Sequence, residues 1–190
     1  MSRIAGRFQA LAAQGRKALV TYVVAGDPSP DITVPLLHAM VANGADILEL
    51  GVPFSDPMSE GPTIQLGHER ALANGTRLRG VLELVREFRR DDNETPLLLM
   101  GYANPVEHMG HAAFADAASD GGVDALLTVD IPPEEVASVN RELQRVGMDN
   151  IFLIAPTTPE ARIDLIAEQA SGFIYYVSVK GVTGAGHLDV

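Results

Sequence analysis

Residues 45–50 read Ala45-Asp46-Ile47-Leu48-Glu49-Leu50, and the chain continues Gly51-Val52-Pro53-Phe54-Ser55-Asp56-Pro57-Met58-Ser59-Glu60-Gly61-Pro62-Thr63-Ile64-Gln65. A short apolar run closed by Gly and Pro is the mark of a parallel strand buried on both faces. Successive side chains of a strand alternate, so Ala45, Ile47 and Glu49 share one face while Asp46, Leu48 and Leu50 share the other. Glu49 therefore points where Ile47 points. On a core-directed face a carboxylate costs several kcal/mol unless a ligand, a partner or a shifted pKa compensates. The competing reading is a strand-end glutamate that reaches solvent. Behind the strand, Pro53, Pro57, Gly61 and Pro62 restrict a loop carrying Asp56 and Glu60. Such a loop either aims a carboxylate back at a pocket or exposes solvated acids. Asp56, before Pro57, reads as a turn former, a partner-facing residue or a third catalytic acid.

Working outward, apolar strand-like runs recur at 18–24, 96–100, 123–129, 151–155 and 173–179 as well as 45–50. Helical patterns lie between them at 31–42, 63–73, 78–90, 112–119, 133–146 and 159–170. Strand and helix alternating roughly every 25 residues is the pattern of βα units and a parallel sheet. The interval after the Glu49 strand is about twice as long and holds two helical patterns, which predicts an extra helix and a long βα loop. Each run leads into turn residues at its C-terminal end, and polar residues cluster there and are sparse at the opposite ends. In a (β/α) barrel those loops build the active site. Eight units need about 250 residues, and six repeats are counted in these 190. The pattern fits a doubly wound open sheet or the first six units of a barrel.

With 46% hydrophobic residues, one core and one domain over 1–190 are expected. Neither a secretory signal nor an apolar run near 18 residues is present, so neither secretion nor membrane insertion is indicated and cytosol is the expected location. The absence of cysteine excludes disulfides, thiolate zinc sites and a cysteine nucleophile. His38, His68, His108, His111 and His187 form no metal-binding motif and read as surface or packing residues. A net charge of −11 argues against nucleic-acid binding. The densest basic stretch, 86–90, reads as the solvated face and C-terminal turn of a helix.

Two further features stay open on the residues alone. Tyr22, Met100, Tyr102, Val129, Ile154 and Tyr175 lie near strand ends, as core packing or as the wall of a flat apolar slot for an aromatic bicycle. The run Gly181-Val182-Thr183-Gly184-Ala185-Gly186 suits a phosphate cradle or a mobile lid.

The stretch from 48 to 65 resembles the signature of tryptophan synthase alpha subunits. The resemblance continues through Thr-Tyr-Val-Val-Ala-Gly-Asp-Pro at 21–28, Met-Gly-Tyr-Ala-Asn-Pro at 100–105, 129–132, and 175–185 with its ending Gly-Val-Thr-Gly-Ala. It covers the whole chain in order. It implies a TIM (β/α)8 barrel, here as its first six βα units and incomplete at the C-terminus. The implied activity is a lyase of L-tryptophan biosynthesis that cleaves indole-3-glycerol phosphate to indole and glyceraldehyde 3-phosphate by retro-aldol acid/base chemistry. No cofactor is implied for this half; pyridoxal phosphate belongs to a beta subunit, the partner in an alpha2beta2 heterotetramer.

By the same resemblance Glu49 moves protons between the glycerol hydroxyl and indole C3, and Glu60 accepts a hydrogen bond from the indole N–H. At position 60 the family commonly has Asp, and the extra methylene moves the carboxyl by roughly 1 to 1.5 Å at fixed backbone. Tyr22, Met100, Tyr102, Val129 and Tyr175 become the indole slot, Thr183 part of a closing loop and Gly184 a phosphate contact. The 53–60 loop and the Asn104-Pro105 region look like the partner's contact surface. Two alternatives remain. One is an allosteric module for the beta subunit with little activity of its own. The other is a different phosphosugar barrel enzyme, which calls for a Schiff-base lysine at a strand end, whereas Lys180 lies in a loop.

Overall fold

The computed structural model describes residues 2–178. Its elements run α1 (Ile4–Ala13), β1 (Val20–Val24), α2 (Pro30–Ala42), β2 (Ile47–Gly51), α3 (Pro62–Ala73), α4 (Leu78–Phe88), β3 (Leu97–Gly101), α5 (Ala103–Met109), α6 (His111–Gly121), β4 (Ala125–Thr128), α7 (Ala137–Val146), β5 (Asp149–Ile154), α8 (Glu160–Gln169) and β6 (Ile174–Tyr176). All neighbouring strands pair in parallel in the order β1-β2-β3-β4-β5-β6. Strands added strictly in sequence with helices between them are the wall of a (β/α) barrel rather than a doubly wound sheet, whose order reverses. β2 and β4 are buried at every residue, whereas β6, at one edge of the sheet, is exposed along its length.

Strand alternation divides the apolar residues into two cores. Outward-facing Leu48, Leu50, Leu97, Leu99 and Leu126 meet the helices, among them the stripe Leu78, Val81, Leu82, Val85 and Phe88 of α4. Inward-facing Ile47, Leu98, Ala125, Leu127 and Ile151 form the barrel interior. α1 plugs its N-terminal end: Ile4 is fully buried there, and the Phe8 ring meets Phe173 edge-on at 5.8 Å.

α3 and α4 together fill the long interval after β2, as the sequence predicts. Two helices, α1 and α5, have no counterpart in the sequence reading. In neither does the N-cap residue's side chain cap the first turn. Instead the amide of Arg3, at the head of α1, donates to Asp124 Oδ1 at 2.8 Å, and the first amide of α5, on Ala103, donates to Asp130 Oδ1 at 2.7 Å. At α5 the cap comes from distant sequence, where local signals do not reach, while at α1 the Ile4 amide is also taken locally by the Ser2 hydroxyl at 3.2 Å. Pro105 lies in the first turn of α5, where its missing N–H is harmless.

Two expectations are corrected at the N-terminal end of the strands. It is not poor in polar groups. Asp124, 1% exposed, accepts from Arg3 Nη1, Arg89 Nη2 and the Leu97 amide at 2.9 to 3.0 Å, and Asp46 accepts from the Leu19 amide at 3.0 Å. Nor is Arg89 on a solvated face. It is 7% exposed, donates to the carbonyls of Gly122 and Thr95, and burial lowers its pKa to about 10 against the pull of Asp124. Replacing Asp124 by Ala removes the nearest counter-charge of a buried guanidinium and leaves it only Asp92 at 4.0 Å, so a loss of about 3 kcal/mol in urea unfolding is expected. A loss below about 1 kcal/mol would show the network to be solvent-compensated.

Candidate active site

Glu49 sits near the C-terminal end of β2, in register with Tyr22 on β1 and Leu98 on β3. Alternation places it on the inner face with Ile47. It is 4% exposed, and its Oε1 is buried without a hydrogen-bond partner among the described residues. Burial, and then the negative charge of Glu60, push its carboxyl up to about 7. Gly51 keeps the space above it open for Tyr22, since a Cβ there would run into the Tyr22 hydroxyl.

Glu60 ends the loop that follows β2 and is also 4% exposed. Its amide donates to Pro57 O at 3.0 Å, and its carbonyl accepts from Gln65 Nε2 at 2.8 Å. The Glu60 side chain is thus housed inside the protein rather than in solvent. Asp56 lies outside it: exposed, it accepts from the Ser55 hydroxyl, and its carbonyl accepts the Met58 amide in a tight turn. That arrangement fits the turn-forming reading.

Three tyrosines converge on the two glutamates. Tyr22 is raised by burial and then by Glu60 and Glu49; Tyr175 by burial and then by Glu49 and Glu60. Tyr102, 2% exposed, is raised by burial foremost and further by Glu60, and its hydroxyl accepts the Ser59 amide at 3.1 Å. Met100 and Val129 are partly buried against the inner core below, while Ile154 joins the outer core facing the helices. Tyr22 of β1, Glu49 of β2, Glu60 of the following loop, Tyr102 just beyond β3 and Tyr175 of β6 are thereby within electrostatic reach of one another. Thr183, Gly184 and Lys180 lie outside the described residues.

Two residues that hold this mouth together were not singled out as such from the sequence. The Phe54 ring stacks on Tyr102 at 5.0 Å, and the Phe54 amide donates to Nδ1 of buried His68 at 3.0 Å. The signal for His68 was its place beside Gly67 and Ala71 on the buried stripe of α3. No group of three or more His, Cys, Asp or Glu among the described residues could hold a metal ion. A cavity of about 580 Å³ lies between the 53–55 segment and α5, lined in part by Pro53, Ser55, Asn104, Pro105 and His108. It is separate from the two glutamates, so it is a surface feature beside the chemistry rather than its container.

Comparison with known proteins gives a consistent result. The family described as Tryptophan synthase alpha chain matches residues 8–189. A tryptophan synthase alpha chain of Thioalkalivibrio sulfidiphilus is 64% identical over 190 residues, covering 100% of this chain and 71% of the relative. The crystal structure of tryptophan synthase subunit alpha from Legionella pneumophila superposes with a TM-score of 0.91 at 48% identity, over 95% of this chain and 70% of that one. A structure of the a2b2 tryptophan synthase complex from Pyrococcus furiosus matches at a TM-score of 0.82 and 42% identity, over 88% of this chain and 67% of that one.

The raised Glu49 ionisation fixes a sign for stability. The folded state holds its proton up to about pH 7 while the unfolded chain releases it near 4.5. Stability contributed by the neutral form is therefore present below 4.5 and lost as pH rises to 7. Glu49→Gln cannot ionise, so it is expected to be the more stable protein at pH 8 by about 2 to 3 kcal/mol, with no gain at pH 4. Chemical unfolding at both pH values measures this; an equal effect at both would refute a desolvated carboxylate.

Proposed function

This chain belongs to the tryptophan synthase alpha chain family, and from that membership and the buried carboxylate in the barrel mouth we propose that it cleaves indole-3-glycerol phosphate to indole and glyceraldehyde 3-phosphate. The observation that carries the mechanism is Glu49: a desolvated carboxyl, with one oxygen unpartnered, that titrates near neutrality. A group with its pKa near the working pH serves as base and acid in one turnover. Glu49 removes the proton of the glycerol hydroxyl next to the ring and delivers a proton to indole C3. The bond between C3 and the glycerol carbon breaks as the hydroxyl carbon becomes an aldehyde, and protons balance. Glu60 accepts the indole N–H and offsets the positive charge that builds on the ring at C3 protonation.

Tyr22, Met100, Tyr102, Val129 and Tyr175 bound the slot for the flat ring, and Thr183 and Gly184 take the closing loop and phosphate end. The described residues supply the first six βα units of one (β/α) barrel domain. Pyridoxal phosphate is the beta subunit's cofactor, and this half of the reaction uses none. The partner is that beta subunit, in an alpha2beta2 assembly. Two features support a docking surface at the 53–60 loop and Asn104-Pro105: the cavity between them, and Met58, 70% exposed at the loop's apex. Among the described residues no helix is long and apolar enough to cross a membrane, and we place the protein in the cytosol. A purely allosteric module gives no reason to keep an unpaired carboxyl inside the barrel. For a Schiff-base enzyme, the lysine among the described residues, Lys17, precedes β1 at the opposite end.

Glu49→Gln keeps shape but loses the titratable proton. Cleavage is expected to fall by roughly a thousandfold or more while indole-propanol phosphate binds within about threefold of the native protein. Turnover within about tenfold of native would overturn the assignment. Glu60→Asp is expected to lower kcat with little change in KM, because the group acts on developing charge. A higher kcat would show that this loop fits the shorter acid better.

A further inference from the structure

Gln65 and His68 are three positions apart, so both lie on one face of α3, and both reach the loop that carries Glu60. Gln65 holds the loop's last residue through the Glu60 carbonyl at 2.8 Å. His68 holds its first turn through the Phe54 amide at 3.0 Å. Phe54 in turn stacks on Tyr102, and the Tyr102 hydroxyl takes the Ser59 amide, one residue before Glu60. The chain of contacts His68, Phe54, Tyr102, Ser59 runs from a helix behind the loop to the carboxylate in the mouth.

We propose that His68 is a positioning residue for the cleavage reaction: its Nδ1, by accepting the Phe54 amide proton, sets the course of the 53–60 loop and thereby the place of Glu60. The proposal rests on the role given to Glu60 above. Because an amide can only donate, Nδ1 must carry no proton, and the neutral ring is the Nε2–H tautomer. His68 is 2% exposed, and its Nε2 is buried with no partner among the described residues. A second proton would set two donors against each other and strand a cation in the interior. The charged group acting on the ring is Asp27, from the loop after β1, and that carboxylate is engaged bidentately by Arg70 at 2.7 and 2.9 Å. Burial outweighs Asp27 and lowers the ring's pKa, so the acceptor persists at neutral pH. Protonation at acid pH releases the loop.

The test uses the protein with its beta subunit present and compares His68→Leu, which removes the acceptor, with His68→Asn, whose amide oxygen replaces Nδ1 without titrating. His68→Leu is expected to lower kcat by roughly tenfold or more with KM within about threefold, and His68→Asn to restore it to within about threefold. In the native protein the acid limb of kcat/KM should fall more steeply than one proton, with Glu49 and His68 both contributing, and His68→Asn should reduce it to one. His68→Leu within about twofold of native, while Glu60→Gln is severely impaired, would overturn the clamp and leave Glu60 in place. Near-native rates for both would remove Glu60 and the clamp with it. Should His68→Leu fail to fold, the native protein still decides: 15N NMR of the ring and exchange of the Phe54 amide should show an unprotonated Nδ1 and a protected amide at pH 8, lost together on acidification. A proton on Nδ1 at pH 8, or an unprotected Phe54 amide, would refute the proposal.

Discussion

The charge of Glu49 has nowhere to be solvated. β2 is buried on both faces, alternation turns position 49 inward, and the adjoining strands put Tyr22 and Leu98 beside it. Burial acts first and the charge of Glu60 second, and both push the carboxyl in the same direction, toward holding its proton near neutrality. A carboxyl in that state exchanges a proton readily with a bound substrate, which a solvated glutamate at its ordinary pKa does poorly. The barrel accepts a loss of stability at this position, and the same desolvation makes the group useful.

The two ends of the strands answer opposite demands. At the N-terminal end every buried charge is met: Asp124 takes four donors, Arg89 is spread over Asp124 and three carbonyls, and α1 is tied down through Arg3. At the C-terminal end Glu49 keeps an unpartnered oxygen, and three tyrosines crowd two acids. This is the division expected of a barrel, with stability secured at one face and chemistry at the other. Between them, α3 bonds the loop after β2 at both ends, through His68 to the Phe54 amide and through Gln65 to the Glu60 carbonyl.

Most of this was legible because it depends on local periodicity. The alternation in 45–50 put Glu49 on the face of Ile47, and the recurrence of strand and helix pointed to a parallel sheet, with the resemblance choosing the barrel order over a doubly wound one. What escaped the sequence rests on contacts between distant segments. α5 is capped by Asp130 and α1 is tied to Asp124, which no local window contains. Arg89 reads as one of a solvated basic cluster until Asp124 is brought beneath it. His68 reads as a packing residue, and it is one; its acceptor role appears only when Phe54 folds back over α3. The resemblance to tryptophan synthase alpha subunits supplied the substrate, the roles of the slot residues and the significance of Glu60, none of which spacing alone could decide.

The account turns on the ionisation of one side chain, and that can be observed directly by 13C NMR of the Glu49 carboxyl across a pH titration, in the native protein and in Glu60→Gln. The account predicts a native midpoint of about 7, lowered when the charge of Glu60 is removed yet still above the ordinary carboxylate range because burial is the larger cause. A native midpoint near 4.5, or one indifferent to Glu60, would contradict it.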